Sequence, residues 1–197
     1  MHEMNPESME KRELYQLMTA VIAPRPIAFV TTKGTNGVIN AAPFSYFNAV
    51  TSKPPRVSVV VNYAQEGIKD TARNILESKV FVVNIVTEDI LEAVNETARR
   101  LPSNESEIDR TNLHLVDSTV IDVPQIKESK VRFECRLDAR VPFENADMFI
   151  GEIIKIHVHP EVLTDHRVDV LKLSPILRLD GNNYGTIGKI ITLKRPI

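Results

Sequence analysis

The alternation and clustering of apolar residues along this chain predict a mostly β protein. Ile27 to Thr32 is a β-rich run, Lys33 to Gly37 a turn with two glycines, and Val38 to Ala42 a returning strand that breaks at Pro43. Val57 to Val61 is almost wholly apolar, which predicts a strand buried on both faces, and Val80 to Val86 predicts the next. Between them, Asp70 to Ser78 reads as a short helix with Ala72, Ile75 and Leu76 facing inward. Two long strands are expected at Val131 to Val141 and Met148 to Val158. In the first, Val131, Phe133, Cys135, Leu137 and Ala139 share one face, with Arg132, Glu134, Arg136 and Asp138 on the other. Ser8 to Ile22 carries Met9, Leu14, Leu17, Met18 and Val21 near helical spacing. That helix must stop by Ala23, because Pro24 and Pro26 cannot donate hydrogen bonds and restrict the residues before them. Thr87 is placed to cap a helix through Arg100, Leu101 to Leu113 reads as an irregular surface excursion or lid, and Asp180-Gly181 marks a turn between short strands. Many strands, few helices and no βαβ rhythm favour an antiparallel barrel over a parallel sheet.

Composition narrows the classes. The 197 residues suit one domain, or one domain with a lid. A net charge of -2 argues against a nucleic-acid-binding surface, which would need a clear basic excess. No apolar run is long enough for a transmembrane helix, so no membrane partner is expected. The polar, acidic start "MHEMNPESMEKREL" is unlike a secretory signal, and a cytoplasmic location is expected. The single cysteine, Cys135, permits no internal disulfide and falls on the apolar face of its strand, as a packing residue would.

Two segments carry candidate chemistry. "KDTARNIL", opening at Lys69-Asp70-Thr71, offers a cation, a hydroxyl and free backbone N–H groups at a helix start. It can hold a phosphate, with Asp70 as the N-cap, or be an ordinary capped surface helix. Asn40-Ala41-Ala42-Pro43 puts small residues and a proline where a strand would carry bulk. Backbone groups can approach a flat heterocycle there, or the segment is a plain edge strand with a bend. Arg25, between two prolines, is either a ligand or a surface residue. His157 and His159 share a strand face, but no cysteine or carboxylate cluster accompanies them and no metal site is expected. Glycine-rich phosphate loops and a Gly-x-Ser-x-Gly elbow are absent.

The order of the segments resembles the flavin-reductase-like family of FMN-binding split barrels, which includes flavoredoxins and the reductase components of two-component flavin monooxygenases. The matching stretches are "PRPIAFVTT", "INAAPFSYFNAVTSKPP", "KDTARNI", "FVVNIV", "VRFECRL", "FIGEIIKIHV" and "RLDGNNYG", in order from about Ala23 to about Gly188. The resemblance implies a mainly β chain: a six-stranded antiparallel split β-barrel with a few peripheral helices. An N-terminal helical segment (1–22), the barrel domain (23–190) and a C-terminal tail (191–197) follow. It also implies a homodimer with FMN in a groove at the interface. By motif position, Asn40, Ala42, Pro43 and Ser45 would lie along the isoalloxazine, flanked by Arg25 and Thr32. Lys69 and Thr71 would hold the phosphate with Asp70 capping, and Arg178 and Tyr184 would close the site, from the same or the partner subunit.

Two departures stand out. Many family members that reduce free flavin carry Gly-Asp-His ahead of the "IGE" strand; here the stretch is Asn145-Ala146-Asp147-Met148. The late Gly-Gly pair is Asp180-Gly181. Two functions therefore compete. One is an oxidoreductase passing electrons from NAD(P)H to flavin and on to a flavin-dependent monooxygenase or redox protein. The other is an FMN-binding electron carrier reduced by a protein partner. Met148 to Val158 would line the nicotinamide side, Asp147 would disfavour a phosphorylated nicotinamide if it faced the groove, and no catalytic residue is assigned.

Overall fold

The computed structural model describes residues 1–65 and 67–196; Ile197, the last residue of the expected tail, lies outside them. In chain order the chain forms α1 (Lys11–Val21), β1 (Arg25–Pro26), β2 (Ala28–Lys33), β3 (Ile39–Phe44), β4 (Phe47–Ser52), β5 (Pro55–Asn62), α2 (Asp70–Ser78), β6 (Val80–Ile85) and α3 (Leu91–Glu96). Then come β7 (Leu115–Val116), β8 (Gln125–Ile126), β9 (Val131–Pro142), β10 (Ala146–Val158), β11 (Leu163–Thr164), β12 (Arg167–Val168), α4 (Val170–Leu173), β13 (Leu177–Arg178) and β14 (Tyr184–Gly185). Among the described residues no helix is long and apolar enough to cross a membrane.

Seven strands make one antiparallel sheet in the order β3-β2-β6-β9-β10-β5-β4. The split-barrel reading of the sequence holds, and the strand beyond the expected six is β4. The sheet curls around a core of Val30, Phe44, Val59, Phe81, Cys135 and Phe149. Helix α2 closes this core with Ala72 and Ile75, both fully buried. Its amphipathic spacing ends at Lys79, which takes the left-handed conformation (φ 63°) and donates its N–H to Ile75 O at 3.0 Å. A second core, with Phe29, Ala41, Val86, Ile90, Val94 and Ile108, lies under the excursion between β6 and β9.

Several expectations need correction. The strand through Asn40 does not break at Pro43; β3 pairs Pro43 with Phe29 and runs on to Phe44. Proline is tolerated because β3 is the sheet edge and the missing N–H faces no partner strand. β5 is buried on one face only: Val57, Val59 and Val61 point in, while Ser58 and Val60 are half-exposed. β6, by contrast, is buried on both faces from Phe81 to Asn84. The helix after Thr87 is a 3-10 turn at Glu88–Ile90 followed by α3, and it stops at Glu96 rather than Arg100. There Ala98 N and Arg99 N turn back to the carbonyls three residues earlier, so the chain leaves the helix.

The polar face of β9 hides one residue that should have been exposed. Glu134 has no exposed side-chain surface. Its carboxylate accepts hydrogen bonds from Thr119 N (2.8 Å), Thr119 Oγ1 (2.9 Å), Val120 N (2.9 Å) and Gln125 Nε2 (3.1 Å), and it lies 2.6 Å from His157 Nε2. Burial alone would raise this carboxyl; the Thr119 N–H, the His157 ring, the Val120 N–H and the Thr119 hydroxyl outweigh it and hold it down at about 2. Asn84 completes the attachment of this segment, donating to Phe29 O (3.0 Å) and accepting from Ile126 N (2.9 Å).

Because the Glu134 carboxyl is depressed on folding, its contribution is present above the ordinary value of 4.5 and is lost as the pH falls towards about 2. Urea unfolding at stepped pH should show that loss in the wild type and a flatter profile in Glu134→Ala. At pH 7 the variant should lose about 3 kcal/mol or more, since buried donors are left without an acceptor. A loss below about 1 kcal/mol would show that the cluster carries little of the fold.

Candidate functional site

The sheet edge, the start of α2 and the chain leaving α3 enclose a cavity of about 580 Å³, a size ordinary for small-molecule sites. β3 supplies Asn40, Ala42, Pro43 and Phe44; α2 supplies Lys69, Asp70, Thr71 and Arg73; residues 97–103 and Glu107 form the facing wall. The side chains on β3 are small between Asn40 and Phe44, so the strand backbone itself borders the cavity. A smaller polar cavity of about 250 Å³ adjoins it and shares Asn40, Asp70, Arg73 and Ser103.

At one end the chemistry is that of an anion site. Lys69 is the N-cap of α2 and makes no side-chain cap. Its Nζ stands 6.0 Å from the Phe44 ring centroid and has no ion-pair partner among the described residues. Burial, with Arg100 nearby, holds its amine below the ordinary lysine value. The N–H groups of Asp70, Thr71 and Ala72 open a helix of nine residues and have no intrahelical acceptors. The Thr71 hydroxyl accepts from Asn40 Nδ2 at 2.8 Å, and both residues are buried, which leaves the hydroxyl proton to donate elsewhere. Asp70 is not the cap. It is the first helical residue, and its carboxylate pairs with Arg73 one turn on. Cation, hydroxyl and helix start fit a phosphate, and the strand edge fits a flat ring.

The sequence-predicted residues divide in two. Asn40, Ala42, Pro43, Lys69, Asp70 and Thr71 meet in the cavity. Arg25, Thr32, Ser45, Arg178 and Tyr184 do not line it. Arg25 is buried and donates to the carbonyls of Thr19 (2.6 Å), Ile22 and Leu179 (2.6 Å), so it fastens the end of α1 to the turn after β13. Fork-shaped guanidinium donors suit that role, since the last carbonyls of a helix lack partners. Thr32 accepts from Asn74 Nδ2 at 3.1 Å, beneath α2. Arg178 stacks on Tyr184 at 4.6 Å, and the Tyr184 hydroxyl donates to Asn95 at 3.0 Å.

β10 contributes nothing to this cavity, against expectation. Asp147 is fully buried and held by Arg140 (2.7 Å) and the Tyr63 hydroxyl (3.1 Å), so it presents no charge to a groove. His157 is engaged by Glu134, and His159 accepts from Glu161 N at 3.4 Å. Among the described residues no group of His, Cys, Asp and Glu could hold a metal ion. Cys135 is buried, and burial, with Glu134 adjacent, pushes its thiol far up.

Residues 20–179 match the flavin reductase like domain. The chain belongs to that family. It is 43% identical over 198 residues to the uncharacterized protein YwrF of Bacillus subtilis strain 168, covering 96% of this chain and 97% of that one. The fold superposes on nitrilotriacetate monooxygenase component B from Bacillus cereus with a TM-score of 0.95, at 41% identity and 98% coverage of each chain. It superposes on the Pseudomonas fluorescens 2-nitrobenzoate 2-nitroreductase NbaA with a TM-score of 0.90, at 32% identity, covering 99% of this chain and 96% of the other. Flavoredoxin of Desulfovibrio vulgaris shares the fold at a TM-score of 0.78 and 22% identity, covering 86% of this chain and 90% of that one. Membership makes this a flavin-binding oxidoreductase of the flavin reductase type.

Sequence reasoning missed the facing wall. The sequence reading puts residues 97–100 in a helix and Leu101 to Leu113 in a surface excursion or lid, and singles out none of them for the site. The available signal was Ile108 and Leu113, two apolar residues in a polar run, both buried here.

Thr71→Val should cost about 1–3 kcal/mol in urea unfolding, because Asn40 Nδ2 loses its buried acceptor. Thr71→Ser keeps the oxygen and should cost less than about 1 kcal/mol. Equal losses would place the cost in packing rather than in the Asn40 bond.

Proposed function

We propose that the cavity binds one FMN per subunit, with the phosphate at Lys69 and the start of α2 and the ring against Ala42, Pro43 and Phe44. The observation that carries this is the partly buried Lys69, without an ion-pair partner among the described residues, beside the open N–H groups of α2, at one end of a cavity whose other wall is a strand edge with small side chains. FMN, when bound, supplies the electron-accepting and electron-donating chemistry. The chain's own part is to bind and orient. Lys69 and the helix start neutralise the phosphate, Thr71 donates to it, Asn40 fixes the Thr71 hydroxyl, and the apolar β3 surface excludes water from the ring.

The electron donor in this reading is NAD(P)H and the acceptor a monooxygenase or other redox protein. Relatives named as a monooxygenase component and a nitroreductase support an acceptor outside the chain. A second reading, reduction by a protein partner without nicotinamide, is favoured by one observation. Ala146, where family reductases carry histidine, is buried and does not line this cavity. The homodimer belongs to the proposal as well. β4 is an exposed sheet edge from Asn48 onward, and Val141 and Phe143 at the far end of β9 are exposed. Arg178 and Tyr184 reach a flavin site in this reading only through a second copy. A cytoplasmic barrel domain at 23–190, flanked by the segments 1–22 and 191–197, completes the assignment.

Lys69→Ala should weaken FMN by about 1.5–3 kcal/mol in a fluorescence titration and leave riboflavin nearly unchanged. Equal loss for both flavins would remove Lys69 from the phosphate. FMN affinity should also fall at alkaline pH, below the range where an ordinary lysine titrates, with no parallel fall for riboflavin. Anaerobic stopped-flow with NADH decides between donors. Slow reduction with a high apparent KM, beside prompt reduction by dithionite, is expected, and turnover at rates typical of enzymes would restore a plain nicotinamide reductase. Sedimentation should give a dimer; a stable monomer that retains FMN would sink the interface reading.

A further inference from the structure

Glu107 is a buried acid that another residue bonds through one oxygen only. The residue is 8% exposed and borders the cavity. Its Oε2 accepts the Ala41 N–H at 3.0 Å, while Oε1 accepts no hydrogen bond from another described residue. Capping the strand edge does not itself require a charge. Two residues back along β3, Ser106 Oγ satisfies Ile39 O at 2.6 Å as a neutral group. Burial raises the Glu107 carboxyl more than the N–H groups of Ala41 and of Glu107 itself lower it, so an anion here works against the fold at neutral pH. The side chain stands on the cavity wall, where Oε1 can accept a donor from a ligand.

Position says which part of a ligand can supply it. Ala41, the residue Glu107 holds, stands between Asn40 and Ala42 on β3. Asn40 bonds Thr71 at the anion end, and Ala42 begins the ring end. At about 3.3 Å per strand residue, Glu107 therefore reaches the middle of the cavity. In a flavin phosphate the middle is the polyol chain, whose hydroxyls are neutral donors. We propose that Glu107 Oε1 accepts a hydrogen bond from a polyol hydroxyl of the bound flavin, so that this acid selects flavins carrying the sugar-alcohol chain over the bare ring. The proposal rests on the placement of the phosphate at Lys69.

The test titrates FMN, riboflavin and lumiflavin, which has the ring without the polyol, into the wild type, Glu107→Gln and Lys69→Ala. Gln keeps an acceptor for Ala41 N–H and removes the charge from the cavity side. Glu107→Gln should weaken FMN and riboflavin alike, by about fivefold, as a charge-assisted bond becomes a neutral one. Lumiflavin should stay within about twofold. The same variant should raise the apo protein's melting temperature, since the folded carboxyl is held above its unfolded value and its ionisation opposes folding. Loss of lumiflavin binding in step with riboflavin, or an unchanged riboflavin affinity, would overturn the proposal. Failure of the underlying reading looks different. A wild type that binds no flavin refutes the cofactor, and a Lys69→Ala that weakens riboflavin as much as FMN refutes the phosphate placement.

Discussion

A sheet that stops at an edge leaves a row of backbone N–H and C=O groups without partner strands. In this chain β3 and β4 are such edges, and the site depends on how the β3 edge is handled. Covering it with another strand would satisfy the backbone and fill the cavity. Leaving it bare would invite pairing with another chain. The solution is partial. Ser106 and Glu107, from the 3-10 turn Glu107–Arg110 and the residue before it, satisfy Ile39 O and Ala41 N. Pro43 then removes the next outward donor. Beyond that point the edge is open to the cavity but cannot act as a continuous strand template. Small side chains at Ala41 and Ala42 keep the surface close to the backbone.

Two buried carboxylates in the excursion after α3 and the strand that follows it show how one residue type serves opposite ends. Glu134 is bonded on both oxygens and is held low, so its charge stabilises the fold. It ties the loop at Thr119 and Val120 to β9 and, through His157, to β10. Glu107 is bonded to other residues through one oxygen only and is held high. Removing a charge with a full set of donors breaks structure; removing a charge with half a set relaxes it. The first pattern marks scaffold, and the second marks a surface shaped for something other than stability.

Much of the barrel was legible because its strands obey local rules. The turn after β2, the limits of α2 and the existence of the two long strands β9 and β10 follow from alternation, glycine position and helix spacing. The grouping of Lys69 and Thr71 at the start of α2 was legible for the same reason: a lysine, a hydroxyl and a helix start are neighbours in sequence. What escaped was non-local. Arg25 looked like a ligand or a surface residue, yet it bonds Leu179, 154 residues away, and periodicity cannot register such a contact. Glu134 sits on the polar face of an alternating strand, and only the loop folded over it makes it a core residue. β5 read as buried on both faces because Val60 is apolar, although its side is half-exposed. Asp70 has the chemistry of an N-cap, but the extended backbone of the cap falls on Lys69, one residue earlier, and the Asp70 carboxylate pairs with Arg73 one turn along.

The anion end also fixes how far the ring end can be understood from one chain. Lys69 and Thr71 are held by contacts within the subunit: Phe44 beneath the amine, Asn40 on the hydroxyl. These groups are preorganised, so binding there orders few new side chains. The ring end has less. β3 gives it a strand edge, but Arg178 and Tyr184 are turned towards each other and Asn95, and β10 is engaged with β5 and β9 on both sides. A ring held only by β3 would keep a face open to solvent. A loosely held ring would exchange electrons without strict control of the donor's orientation, and orientation is where several kcal/mol of a hydride-transfer barrier can be gained. Electron exchange with a docked protein needs no such alignment. In the proposed reading, the asymmetry between a built phosphate end and a sparse ring end puts the choice of donor in whatever surface covers that face, and leaves flavin identity to the single chain.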